Sequence, residues 1–172
     1  MGKLEDLKNA MLVQLFKRVP WLAERWAGHH RFIRGEGIPW TPLGKPLREC
    51  RIAMVTTGGV HLKSQPPFNM EDPDGDPTFR AFPADVDKAE LTITHKYYDH
   101  SAADRDINVV LPIDRLHQLR KEGLIGGIAP ILYSFMGHID GPHLGTLMEQ
   151  TGPKVAELLV RDGAEAVFLT PA

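Results

Sequence analysis

Four histidines, His61, His95, His100 and His138, are the side chains here best suited to proton transfer or ligand binding near neutral pH. An imidazole titrates close to neutrality and, when neutral, can also ligate a metal. Each lies in a dense polar stretch. The first, residues 56–64, carries Thr56, Thr57, Gly58, Gly59, His61, Lys63 and Ser64. The second, residues 95–104, carries His95, Tyr97, Asp99, His100 and Asp104, and the third, residues 137–143, carries Gly137, His138, Asp140 and His143. An aspartate such as Asp99 or Asp104 can orient an imidazole and fix its tautomer. His61, His95, Asp99, His100 and His138 are therefore the candidates for proton transfer or substrate binding. Thr56, Thr57, Gly58, Gly59, Lys63, Ser64 and Tyr97 are the candidates for substrate contacts.

Metal-ligand spacing is absent. His95 and His100 lie five residues apart, off any single helical face, and no HExxH occurs. Asp72, Asp74 and Asp76 open like a calcium loop, but Pro77 stands where the sixth position needs Gly and Pro83 where the twelfth needs Glu. No bound metal is expected. The sequence also lacks GxGxxG, a phosphate-binding P-loop and a nucleophile elbow. Residue types alone leave the reaction unnamed.

These groups need a scaffold to bring them together. Ile52, Ala53, Met54 and Val55 form an apolar run expected to be a buried strand, stopped by the Gly58-Gly59 turn. Residues 91–95 alternate like a strand, and residues 79–82, 107–111, 128–135 and 166–170 read as further strands. Residues 83–90 read as a helical turn. A helix is expected from Pro112 through Arg120, closed by Gly123, with His117 exposed on it. Helical spacing resumes at Leu144, Leu147 and Met148, can restart at Thr151-Gly152-Pro153, and ends at Gly163. Alternating strands and helices predict an α/β fold with a mostly parallel sheet covered by helices. Such a sheet gathers its ligands at the carboxyl ends of its strands, so the three polar stretches are expected on one rim. Four prolines between residues 64 and 77 exclude helix and central strand there.

Before this domain, Leu4, Leu7, Met11, Leu15 and Val19 recur at helical spacing, and Pro20 can open a second helix carrying Trp21, Leu22 and Trp26. The organisation is read as an N-terminal helical arm over residues 1–34, a Pro/Gly-rich connector over 35–49 anchored by Ile38 and Trp40, and an α/β domain over 50–172. The arm is expected to pack against protein, and His29 and His30 to end its second helix.

Composition narrows the classes. With 172 residues and 42% hydrophobic side chains, one domain with a full core is expected. A net charge of −2 gives no general attraction to nucleic acid or anionic lipid. The chain shows neither a membrane-length apolar run nor a signal-peptide core, so the cytoplasm is the expected location. One cysteine, Cys50, excludes an internal disulfide framework and a cysteine-based zinc cluster within one chain.

Several long strings add a resemblance. VTTGGVHLKSQPPFNMEDPDGD, LTITHKYYDH, DRDINVVLPIDRL, GLIGGIAP and SFMGHIDGPHL, in this order from about Cys50 onward, resemble the selenoprotein B family of glycine, sarcosine, betaine and D-proline reductases. The resemblance implies an oxidoreductase subunit of anaerobic amino-acid reduction that cleaves a C–N bond. It implies further reductase subunits, a thiol electron donor and a small amine or amino-acid substrate as partners, and a pyruvoyl group on a partner subunit as carbonyl cofactor. In such relatives a selenocysteine or cysteine attacks the substrate α-carbon and displaces the amine, as a thiolate or selenolate ionised at neutral pH can. Cys50 matches no such motif. The nucleophile is expected after Ala172, beyond a selenocysteine codon read as a stop, so that the chain is a truncated reading of a longer one. A non-catalytic binding module of the same fold, and a metal-dependent enzyme using the histidines and acids, are the alternative readings.

Overall fold

The structure is a computed structural model that describes residues 11, 14–15, 18–27, 37 and 41–172. It divides into two compact units, one formed by Met1–Pro42 with Lys96–Asp99, the other by Leu43–His95 with His100–Ala172. In the first unit, helix α1 (Pro20–Ala27) begins at the proline, whose fixed φ and missing N–H suit a first helical position. Most of the expected helix before it, together with His29, His30, Ile38 and Trp40, lies outside the described residues. Lys96 Nζ stands 5.6 Å from the centre of the Tyr97 ring in the same unit.

The second unit is built on β1 (Arg51–Thr56), whose residues from Ile52 to Thr56 are all buried. A strand covered on both faces reads as a continuous apolar run rather than an alternating one. Three strands run parallel to it: β5 (Gly127–Ile128), β6 (Ile131–Ser134) and β7 (Ala166–Thr170). β5 and β6 follow one edge of β1 in succession, and the fivefold register from Ile52↔Ala166 to Thr56↔Thr170 places β7 beside it too. The expected strand over 128–135 is thus split at Pro130, which has no N–H for the ladder, while its carbonyl accepts from Ala84 N at 2.9 Å. β3 (Arg80–Pro83) lies antiparallel to β6 at the far edge.

Two strand expectations need correction. Residues 107–111 are not a strand: Ile107–Val109 form a 3-10 turn. Asp106 caps it by accepting from Asn108 N at 3.0 Å, and Asn108 is tied in turn to Asp114. The apolar composition serves burial of Val110 and Leu111 instead. The expected strand over 91–95 is only β4 (Leu91–Ile93), and it pairs antiparallel with β2 (Val60–Leu62) in a separate ribbon.

Helices cover the sheet as alternation predicts. After the short α2 (Ser101–Arg105), α3 (Ile113–Lys121) follows Pro112 and buries Ile113 and Leu116. Gly123 at φ +70° ends it, as a left-handed cap requires. His117 is half-buried and bonded through Nε2 to Ala84 O at 3.0 Å, where an exposed ring is expected. α4 (His143–Thr146) continues through a π turn, Leu147–Thr151, into α5 (Gly152–Arg161). The chain does not break at Pro153, because a proline costs least in a helix's first turn. Gly152 lets the π turn close, since a Cβ there would sit 2.7 Å from Leu147 O. Val155 and Leu159 of α5 pack on Ala53, Val55, Tyr133 and Phe135.

Cys50 closes the amino end of β1. It is 1% exposed, and its Sγ points at Pro46 O, 3.4 Å away. Among the described residues, no helix is long and apolar enough to cross a membrane.

Candidate functional site

The Thr-Thr-Gly-Gly turn is the junction of the domain. Thr56 Oγ1 donates to Val110 O at 2.8 Å and accepts from Gly58 N at 3.0 Å. Thr57 N donates to Thr170 O at 3.0 Å, while its Oγ1 accepts from Ala172 N at 3.1 Å. Gly59 N donates to Phe135 O, and Gly59 O accepts from Thr94 N, both at 2.9 Å. Gly59 has φ +68°, and a Cβ there would lie 2.5 Å from Thr94 O. Only glycine allows both that backbone and that approach. The turn therefore stitches the ends of β1, β6 and β7 to the segment that follows β4.

His95 arrives at the rim by this route, not as the end of a parallel strand. It is 7% exposed, and its Nε2 accepts from Gly137 N at 3.0 Å. The proton of its neutral ring consequently sits on Nδ1. Burial pushes its pKa down, and the neighbouring His138 and His100 add to this, bringing it to about 4. The ring is neutral in neutral solution. A Cβ on Gly137 would lie within 3.2–3.3 Å of Ala172 O, His95 Nε2 and Thr57 O, so these four residues meet at one point.

The other candidates take separate stations. His61 is buried with both ring nitrogens engaged: Nδ1–H donates to Leu62 O at 2.8 Å, leaving Nε2 to accept from Thr94 Oγ1 at 2.7 Å. His100 faces the Asp104 carboxylate, Nδ1 to Oδ2 2.8 Å, one of the two aspartates that the sequence left open for orienting an imidazole. His138 donates through Nε2 to Pro73 O at 2.7 Å. Lys63 and Ser64 are exposed. Lys63 opens onto a cavity of about 450 Å³ lined also by Lys88, Thr92, Asp104 and Arg105. Tyr97 and Asp99 belong to the first compact unit.

The proline-rich stretch turns out to be a strap, which the sequence does not reveal. Asp72 Oδ2 accepts from His143 Nε2 at 3.0 Å, Asp140 N donates to Asp74 O at 2.8 Å, and Gly75 bridges Ile139. The His143 bond, followed by the Asp74 amide, holds the Asp72 carboxyl below its ordinary value. Asp76 is the buried anchor of the strap. It accepts from Asn69 N and Thr78 N, both at 2.8 Å, and from the Thr78 hydroxyl, and it lies 3.8 Å from Arg80. Burial raises its pKa, but these donors outweigh that and hold it below the usual carboxylate value. Partners such as Asp72 and His143 stand 71 residues apart, so no local signal could have paired them. Of the aspartates that mimic a calcium loop, Asp72 and Asp76 spend carboxylate oxygens on the protein itself. Among the described residues, no three His, Cys, Asp or Glu side chains are grouped to hold a metal ion.

Residues 23–172 match the family described as glycine/sarcosine/betaine reductase selenoprotein B. The chain belongs to that family. Among curated relatives, it is 40% identical over 131 residues to the D-proline reductase subunit gamma of Acetoanaerobium sticklandii, covering 76% of this chain and 52% of that protein. It is 30% identical over 166 residues to the glycine reductase complex component B subunit gamma of Symbiobacterium thermophilum, covering 93% and 36%. It is 28% identical over 142 residues to the sarcosine reductase complex component B subunit beta of Peptoclostridium acidaminophilum, covering 77% and 30%. The chain thus spans about half the length, or less, of these relatives. No solved structure matches it significantly.

Proposed function

We propose that this chain is a subunit of a cytoplasmic reductase that cleaves the C–N bond of a glycine-type substrate or D-proline, and that it supplies the substrate-side α/β domain. The observation that carries the reading is that the strings shared with the reductase family are those tied together at the rim: the 56–59 turn, His95 and Gly137. A selenol or thiol from outside these residues, beyond Ala172 or on a partner, would supply the nucleophile for the α-carbon, and a pyruvoyl group on a partner subunit would activate the amine. Cys50 does not meet this need. It is buried at the opposite end of β1, roughly 20 Å along the strand from Thr56 at about 3.3 Å per residue. The rim suits an incoming group, because Gly137 is exposed and offers backbone without a side chain.

Within this reading the histidines divide. His95, neutral and bonded to Gly137, positions the loop that presents the rim. His61 fastens Thr94, the residue before it. His100, paired with Asp104, has the geometry for handing a proton to a departing amine. His138 links the rim to the strap. Asp99 and Tyr97 remain candidates from the sequence for substrate contact, as do Lys63 and Ser64.

The test is reconstitution with the other reductase subunits and a dithiol donor, reading amine release from glycine, sarcosine and betaine and ring opening of D-proline. Turnover that depends on this chain and falls about tenfold or more in His100→Gln supports the proposal. Substrate binding without any contribution to turnover favours a non-catalytic module that keeps the pocket, the reading to which the buried Cys50 lends weight.

A further inference from the structure

The cavity onto which Lys63 opens holds charges that the histidine assignments leave unused. It is walled by β4 and the turn before it, by the end of α2 and the turn after it, and by Lys63, which follows β2. Its volume of about 450 Å³ suits a small molecule. Leu91 and Ala103, 7% and 2% exposed, give the wall an apolar part.

Three of the charged side chains on this wall are committed to the protein. Lys88 is paired with Asp114. Asp106 accepts from Asn108 N at 3.0 Å and from Asn108 Nδ2 at 2.8 Å. Asp104 faces His100 Nδ1 through Oδ2. Lys63 and Arg105, by contrast, have neither a hydrogen bond nor an ion pair to any residue of the chain. Asp104 Oδ1 is likewise without a hydrogen bond. The wall therefore offers two spare cations and one spare carboxylate oxygen. A guanidinium presents a fork of donors to a carboxylate, and an ammonium adds a point charge. A phosphate dianion would bring more negative charge against Asp104 than a carboxylate does. A zwitterion matches both signs.

We propose that this cavity is the carboxylate subsite for a small amino acid, with Lys63 and Arg105 holding the carboxylate and Asp104 facing the cationic nitrogen. The proposal rests on the reductase reading above, whose glycine-type substrates and D-proline each carry a carboxylate one carbon away from nitrogen. Anchoring the carboxylate at the two cations leaves the nitrogen towards Asp104, and so towards the His100 ring bonded to it. Arg105 is the residue this adds, and Lys63 acquires a specific role.

Titration calorimetry of the whole chain with glycine, sarcosine, betaine and D-proline, each up to about 20 mM, tests the subsite. Glycinamide, which keeps the amine and lacks the carboxylate, and inorganic phosphate are the controls. At least one of the four is expected to bind, and glycinamide is not. Arg105→Gln and Lys63→Met should each weaken that binding about tenfold or more, Arg105→Lys less, because a charged hydrogen bond is lost in the first two. Both side chains are exposed, so the urea midpoint should not move. No binding by any of the four, or binding unmoved by both variants, overturns the proposal. Phosphate binding tighter than the amino acids also overturns it, as the mark of a general anion site. Reconstituted turnover judges the reductase reading separately. Turnover that requires the chain, with the same KM in Arg105→Gln and Lys63→Met as in the parent, sinks the subsite and leaves that reading standing. Binding that depends on Lys63 and Arg105, with no contribution to turnover, supports the subsite and overturns the reading.

Discussion

His95→Gln should flatten the acid limb of the stability curve. In the native chain the His95 pKa falls from 6.5 to about 4, mainly by burial. The unfolded chain takes up a proton there as pH falls through 6.5, while the native chain resists until about 4. Between these values the unfolded state binds more protons, so stability rises with pH and is lost on acidification. At about 1.36 kcal/mol per pH unit, the interval is worth about 3 kcal/mol by the time the native ring also protonates. Glutamine keeps an oxygen able to accept from Gly137 N and cannot titrate. Urea unfolding of both proteins, followed from neutral pH to pH 4, should show the parent losing about 3 kcal/mol more than the variant. The carboxylates held below their ordinary values, Asp72 and Asp76 among them, lose their contributions at lower pH and do so in both proteins. Parallel curves would refute the claim that His95 is folded in its neutral form with Nε2 as acceptor.

Three further outcomes are expected. Gly59→Ala meets a φ of +68° and a carbonyl 2.5 Å from the new Cβ, so it should lower stability by about 2 kcal/mol or more in urea unfolding; a midpoint equal to the parent's would show that the turn can relax. Asp76→Asn replaces an acceptor of several hydrogen bonds by a group that brings its own donors, and should cost about 1–3 kcal/mol near neutral pH. Because the Asp76 pKa is depressed, that difference should shrink as pH falls below 3.8, and a difference constant with pH would mean the carboxylate charge is irrelevant there. Cys50 should react with a thiol reagent slowly in the native protein and fast in urea; fast native labelling would contradict its burial at 1% exposure.

Local signals in the sequence were enough to determine much of this protein. The apolar run at Ile52–Val55, the helix opened by Pro112 and closed by Gly123, and the strand at Ala166–Thr170 follow from burial, proline and glycine rules that act over a few residues. The sequence left Asp99 and Asp104 open as the acid that orients an imidazole, and the fold sets Asp104 beside His100. The resemblance to the reductase family was also legible without coordinates. Wrong or missing were the features that depend on partners far along the chain. Residues 107–111 are apolar enough for a strand, but Asp106 and Asn108 find better partners in a turn against Asp114. Residues 91–95 alternate like a sheet strand, yet pair with β2 in a ribbon of their own, and His95 reaches the rim only through the Gly59–Thr94 bonds. The stretch from Asp72 to Asp76 already fails as a calcium loop at Pro77 and Pro83, but only the fold shows the Asp72 carboxylate bound to His143 and that of Asp76 to Asn69 and Thr78. Tertiary structure alone decided which polar groups are free for chemistry, because a hydrogen-bonding group is consumed by whichever partner the fold sets beside it, and that partner can stand 71 residues away.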